Sequence, residues 1–75
     1  MNIGKAMQTI REEQGLSRPE MAKKLGVTAG ALWKIENKKV SPKNATIDLF
    51  CIITHTPVAR LYVLAMEEAD FTARF

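Results

Sequence analysis

Along this 75-residue chain, apolar residues recur at intervals of three and four, the period of helices that bury one face. Ile3, Ala6, Met7 and Ile10 stand at i, i+3, i+4 and i+7 and predict a first helix that Gly15 ends. A second, over roughly Arg18 to Leu25, turns Met21, Ala22 and Leu25 inward, and a third, over roughly Ala29 to Lys38, shares an apolar stripe of Val27, Ala31, Leu32 and Ile35. Ile47, Phe50, Cys51 and Thr54 mark a fourth helix from about Pro42 to Thr54. Val58, Leu61, Tyr62, Ala65 and Ala69 mark a fifth. The expected fold is all-α, one compact five-helix domain over residues 1–75 with no strand, repeat or low-complexity linker.

The residues between these stripes punctuate them. Ser17 can accept from a free amide of the second helix while Glu20 returns the bond, an S-x-x-E capping box, and Leu16 can staple the entry. Thr28 can cap the third helix, and Gly26 has the freedom in φ to close the second and turn sharply. Ala22 is small enough to let the two helices cross closely. Met21, Ala22, Leu25, Gly26, Val27, Leu32 and Ile35 are the expected buried positions of this pair. Ser41-Pro42 and Thr56-Pro57 each offer a cap followed by proline in the first helical turn, and so start helices four and five.

A pair of short helices across a tight turn, SRPEMAKKLGVTAGALWKIEN, preceded by IGKAMQTIREEQGL and followed by SPKNATIDLF, resembles the helix-turn-helix of the repressor/Cro type, the xenobiotic-response-element (XRE) family of bacterial and phage regulators. The resemblance covers most of the chain. It implies a lambda-repressor-like DNA-binding domain, with helix three in the major groove and the start of helix two at a phosphate. By the family pattern, Thr28, Ala29, Gly30, Trp33 and Lys34 face the groove, while Arg18, Asn37, Lys38, Lys39, Ser41 and Lys43 lie near the DNA backbone. Arg18 stands where relatives often have glutamine, and a guanidinium there can hold a phosphate bidentately.

Several positions depart from that pattern. Ala29 and Gly30 carry no hydrogen-bonding side chain where relatives often place Gln, Arg or Ser, so direct base readout falls to Lys34, to a methyl contact with thymine, or to DNA shape. Trp33 has two open roles, a contact with sugar or thymine methyl groups and a lid over the core edge. The resemblance pairs Glu36 with Arg11 as a partly buried tie between helices one and three. Lys38 replaces a glycine common in relatives, so the KKVSP turn is expected to be strained or to place Asn37 in the left-handed region.

Charge sharpens the picture. Residues 1–44 hold nine Lys/Arg against four Asp/Glu, a net +5, and residues 45–75 hold two against four, a net −2, which together give the overall +3. The basic part contains the helix pair, and Lys34, Lys38, Lys39 and Lys43 cluster at its end, where counterion release from a phosphate backbone supplies affinity independent of sequence. Helices four and five carry more apolar residues than one face each can bury. Leu49, Ile52, Ile53, Val63, Leu64 and Met66 lie off the buried stripes, with Phe71 and Phe75 in the tail. A homodimer through these helices, residues 42–69, is expected.

Other chemistries find little support. Cys51 is the only cysteine; with His55 it makes two ligands, too few for a zinc site, and no cofactor or metal is expected. Glu67, Glu68 and Asp70 fit an exposed acidic helix end. No nucleophile stands near a positioned base, so an enzyme is not expected. No apolar run reaches membrane-spanning length, and MNIGKAMQTIREEQG lacks a signal-peptide h-region, which suggests a cytoplasmic protein, associated with the nucleoid when bound to DNA. The leading expectation is a sequence-specific transcriptional regulator, most simply a dimeric repressor on palindromic double-stranded DNA. The alternative is an antitoxin or interaction module whose C-terminal helices hold a protein partner.

Overall fold

The computed structural model describes the backbone of residues 1–73 and the side chains of residues 1–67. The helices are α1 Ile3–Glu13, α2 Arg18–Leu25, α3 Ala29–Glu36, α4 Asn44–Thr54 and α5 Val58–Ala73, and no strand occurs among the described residues. α1 packs on α5, α3 and α4, and α2 lies between α3 and α4. The Asn2 amide donates to the Ala65 carbonyl at 3.1 Å, which ties the start of the chain to α5. Met7, Ile10, Met21, Leu32, Phe50 and Leu61 are fully buried. All five helices contribute to that set, so the core closes only when every helix is in place. Burial of a side chain of this size is worth roughly 1.5–3 kcal/mol.

The stripe predicted for α4, Ile47, Phe50, Cys51 and Thr54, is buried throughout. On α5, Leu61 and Ala65 are buried and Tyr62 is half-buried, while Val58 is exposed and the side chains of Glu68, Ala69, Asp70, Phe71 and Phe75 lie outside the described residues. Leu16 and Val27 pack on the core edge as staple and turn residue. Gly26, expected among the buried positions, is exposed; its part is conformational.

α1 to α4 all end on one closure, in which a left-handed residue donates three residues back and the next amide donates five back. Gly15, Gly26, Lys38 and His55 are the left-handed residues, with φ of 68°, 73°, 60° and 54°. Their amides reach Glu12, Lys23, Ile35 and Ile52, and the following amides reach Arg11, Ala22, Lys34 and Cys51, all within 3.2 Å. Glycine adopts this conformation freely, whereas Lys38 and His55 bear the crowding of a Cβ.

Three boundaries differ from the sequence expectation. α3 stops at Glu36, and Lys38 itself takes the left-handed turn while Asn37 remains at φ −97°. The amides of Lys39 and Val40 close back on the Lys34 carbonyl, which draws residues 37–40 out of the helix. α4 begins at Asn44, with Lys43 as an N-cap that makes no side-chain bond. Ser41 does not cap it, because the half-buried Pro42 lines the cleft between the start of α1 and Tyr62, so the helix opens two residues later. Thr56 does not cap α5 either: its hydroxyl pairs with that of Thr54 at 2.9 Å, and the Pro57 carbonyl accepts the first amides of the helix.

Gly4 marks the closest crossing of α1 and α3. A Cβ there would overlap the Ile35 carbonyl oxygen and crowd the Glu36 Cα at 3.3 Å, both backbone atoms that cannot swing aside. Gly4→Ala is therefore expected to cost about 2 kcal/mol, roughly 10 °C in melting temperature at this chain length, although alanine is the better helix former. An unchanged melting temperature would contradict the close crossing.

Candidate nucleic-acid interface

α3 is seated by its last residue. The Glu36 side chain is 1% exposed and sits between two guanidinium groups. Arg11 from α1 donates through Nε at 2.8 Å and Nη2 at 3.2 Å, and Arg18 from α2 donates through Nε at 2.9 Å. Arg11 uses its remaining nitrogen Nη1 on the Leu16 carbonyl at 2.9 Å, which pins the loop entering α2. One carboxylate thus ties three helices. The pairing of Arg11 with Glu36 matches the expectation; the second arginine does not follow from it, since the family pattern places Arg18 only at an open phosphate contact. Arg18 remains 30% exposed along its side chain, and its terminal nitrogens make no bond among the described residues.

Local sequence positions the two helices around this hub. The Ser17 hydroxyl accepts from the Glu20 amide at 3.2 Å and the Glu20 carboxylate accepts from the Ser17 amide at 3.1 Å, so the predicted box is complete. The Ser17 amide, then its hydroxyl, holds the Glu20 carboxyl below the usual carboxylate range. The stability this bond contributes is present at neutral pH and is lost as the pH falls through that depressed value. Thr28 caps α3 by accepting from the Ala31 amide at 3.0 Å.

With Leu32, Ile35 and Glu36 buried, α3 turns outward Ala29, Gly30, Trp33 and Lys34, one row at helical period that Asn37 extends. Trp33 is 44% exposed and stands outside the set of side chains packed against the core. The Asn37 side-chain amide folds back on the Trp33 carbonyl at 2.9 Å. Lys38, Lys39, Ser41 and Lys43 follow on the exposed loop before α4. Lys34, Lys38, Lys39 and Lys43 join no ion pair among the described residues. The expected row and basic loop are therefore exposed, and the Arg18–Glu36 bond brings the start of α2 to the end of α3, while Asn37 is partly engaged in closing α3.

Gly30 has no internal reason to be glycine. Its φ is not positive, and a Cβ would meet nothing nearer than the Thr28 hydroxyl at 4.0 Å. Away from this side, burial first and then the Asp48 carboxylate push the Cys51 thiol above its usual value, so it stays a neutral core group. His55 is exposed at the end of α4, and among the described residues no three His, Cys, Asp or Glu side chains could hold a metal ion. No single described helix is long and apolar enough to cross a membrane, and α4 and α5 bend by 107° at their junction.

Comparison with known proteins agrees with the helix-turn-helix fold. A family model described as a helix-turn-helix domain matches residues 3–62. None of the curated proteins matches the sequence significantly. Among solved structures, the crystal structure of the clp gene regulator ClgR from Corynebacterium glutamicum is similar with a TM-score of 0.92, covering 97% of this chain and 78% of that chain at 20% identity, a likeness of fold.

Two measurements check the hub and the strained turn. Glu36→Ala leaves a buried Arg11 without its partner and is expected to cost about 3 kcal/mol or more, whereas Arg18→Ala, at a part-exposed position, costs about 1 kcal/mol; equal losses in urea unfolding would contradict the hierarchy. Lys38→Gly is expected to raise stability by about 1 kcal/mol, and a lower melting temperature would contradict the left-handed turn.

Proposed function

As the chain belongs to the XRE-like helix-turn-helix family of DNA-binding transcription regulators, we propose that it is a dimeric repressor that reads a palindromic operator through the major groove. The exposed row of α3 carries this reading: it is the face of α3 that packing leaves open, and it is flanked by unpaired lysines among the described residues. In the proposed complex Ala29, Gly30, Trp33 and Lys34 meet base edges, and Lys34 takes the acceptors of a guanine. Thr28 stands at the groove wall with its hydroxyl committed to the helix cap.

Arg18 keeps its Nε on Glu36 and turns its terminal nitrogens to a phosphate at the start of α2, where the helix dipole adds to the attraction. Asn37, Lys38, Lys39, Ser41 and Lys43 hold the neighbouring phosphates and set the register without reading sequence. The residues that position and those that read thus lie on different elements.

The dimer forms through the α4–α5 face. Leu49, Ile52, Val58, Val63 and Met66 are exposed there, Ile52 to 69%, a concentration of apolar surface that a monomer leaves in water. Two copies joined by this face present their α3 helices about 34 Å apart, one turn of DNA. The same surface also suits a protein partner, as in an antitoxin.

The test pairs DNA binding with oligomeric state. Selection from a random DNA pool is expected to return a palindrome, bound with affinity that falls about 10³-fold or more between 50 and 200 mM salt. Arg18→Ala should lower the salt slope by about one and weaken all sequences alike. Ile52→Glu should give a monomer in sedimentation and abolish tight palindrome binding. A wild-type chain that stays monomeric at high micromolar concentration and selects no sequence would overturn the proposal, and stoichiometric co-purification of a second protein would replace the dimer with that partner.

A further inference from the structure

Gly30 stands in the first turn of the proposed reading helix, at a place where the fold gains nothing from glycine. The backbone there is ordinary for any residue, and a Cβ would enter open space with its nearest neighbour 4.0 Å away. The two other glycines of the helix pair and its approach, Gly15 and Gly26, take left-handed turns, and Gly4 makes room for the Ile35 carbonyl. Glycine also weakens a helix interior relative to alanine, so the missing Cβ costs stability and returns none inside the chain. The constraint that explains it lies outside the protein surface, on the side that faces the groove.

The chemistry of the same turn narrows what lies there. The Thr28 hydroxyl is engaged by the Ala31 amide, and Ala29 offers only a methyl group. Ala29 and Gly30, the two residues that follow this cap, carry no side-chain donor or acceptor to read a base edge. What an apolar, recessed surface recognises in the major groove is the thymine C5-methyl group, the one apolar feature a base edge presents there. We propose that Gly30 is a steric specificity determinant: the groove left by its missing Cβ, walled by Ala29, receives a thymine methyl of the operator half-site. Lys34, one turn on, reads a neighbouring guanine. The inference rests on the DNA-binding reading above and deepens it from a face of α3 to a rule about the base that face accepts.

Replacing thymine by deoxyuridine removes that methyl and nothing else, which makes a size-compensation test possible. With the palindrome selected by the wild-type chain, each thymine of a half-site is replaced in turn, and wild type and Gly30→Ala are titrated against each duplex. At one thymine, deoxyuridine is expected to weaken wild type about fourfold, the worth of one methyl. Gly30→Ala, folded and with a raised melting temperature, is expected to bind the thymine duplex about tenfold or more weakly than wild type, and the deoxyuridine duplex at that same position within about twofold of wild type on that duplex. Recovery at a single position supports the inference. Undiminished binding by Gly30→Ala, or an equal loss on thymine and deoxyuridine at every position, overturns it while leaving the DNA-binding reading standing. Failure of the wild-type chain to enrich any sequence or to bind duplexes in a salt-sensitive way overturns both.

Discussion

The rest of the structure depends on one carboxylate. Glu36 holds Arg11 and Arg18 at once and thereby fixes α3 against both α1 and α2. A buried carboxylate is tolerable only with such compensation, so the hub also dictates which face of α3 is left over. Once Glu36 points inward beside Leu32 and Ile35, Ala29, Gly30, Trp33 and Lys34 must point outward. The orientation of the proposed reading face is thus decided by an ion pair at the far end of α3 from Ala29 and Gly30. Gly4 belongs to the same constraint, because the hub can close only if α1 comes within backbone contact of Ile35 and Glu36.

Much of the fold was legible in periodicity. The buried stripes of α1, α2 and α4, the Ser17–Glu20 box and the two glycine turns follow from spacing and local hydrogen-bonding chemistry, which act within a few residues of sequence. What escaped was decided by tertiary contact. Ser41-Pro42 carries a sound local start signal, yet α4 opens at Asn44 because the preceding loop is committed to closing α3 and to the cleft beside Tyr62. Nothing in the local pattern of Gly4 separates it from a tolerated helix glycine; only the crossing with α3 does. Lys38 breaks a local rule outright, a side chain in a glycine conformation, at the start of the loop proposed to hold phosphates.

The candidate site divides along the same line. Its exposed row was readable because the buried residues of α3 define it by subtraction. The attachment of Arg18 to Glu36 was not, since eighteen positions separate the two and no local motif links them. The attachment changes what Arg18 is: a side chain already held at one nitrogen loses less freedom on meeting a phosphate than one waving in solvent. Position and grip are combined in a residue that periodicity shows only as a helix start.

In the proposed complex this molecule meets DNA with α3 and the loop ends around it. The most direct measurement is an amide NMR titration of the full chain with a selected duplex. Perturbed amides are expected to concentrate at Ser17–Arg18, Thr28–Lys34 and Lys38–Lys43, with the buried faces of α1 and α4 unmoved. Perturbations confined to the α4–α5 face, with the outward row of α3 unchanged, would contradict it.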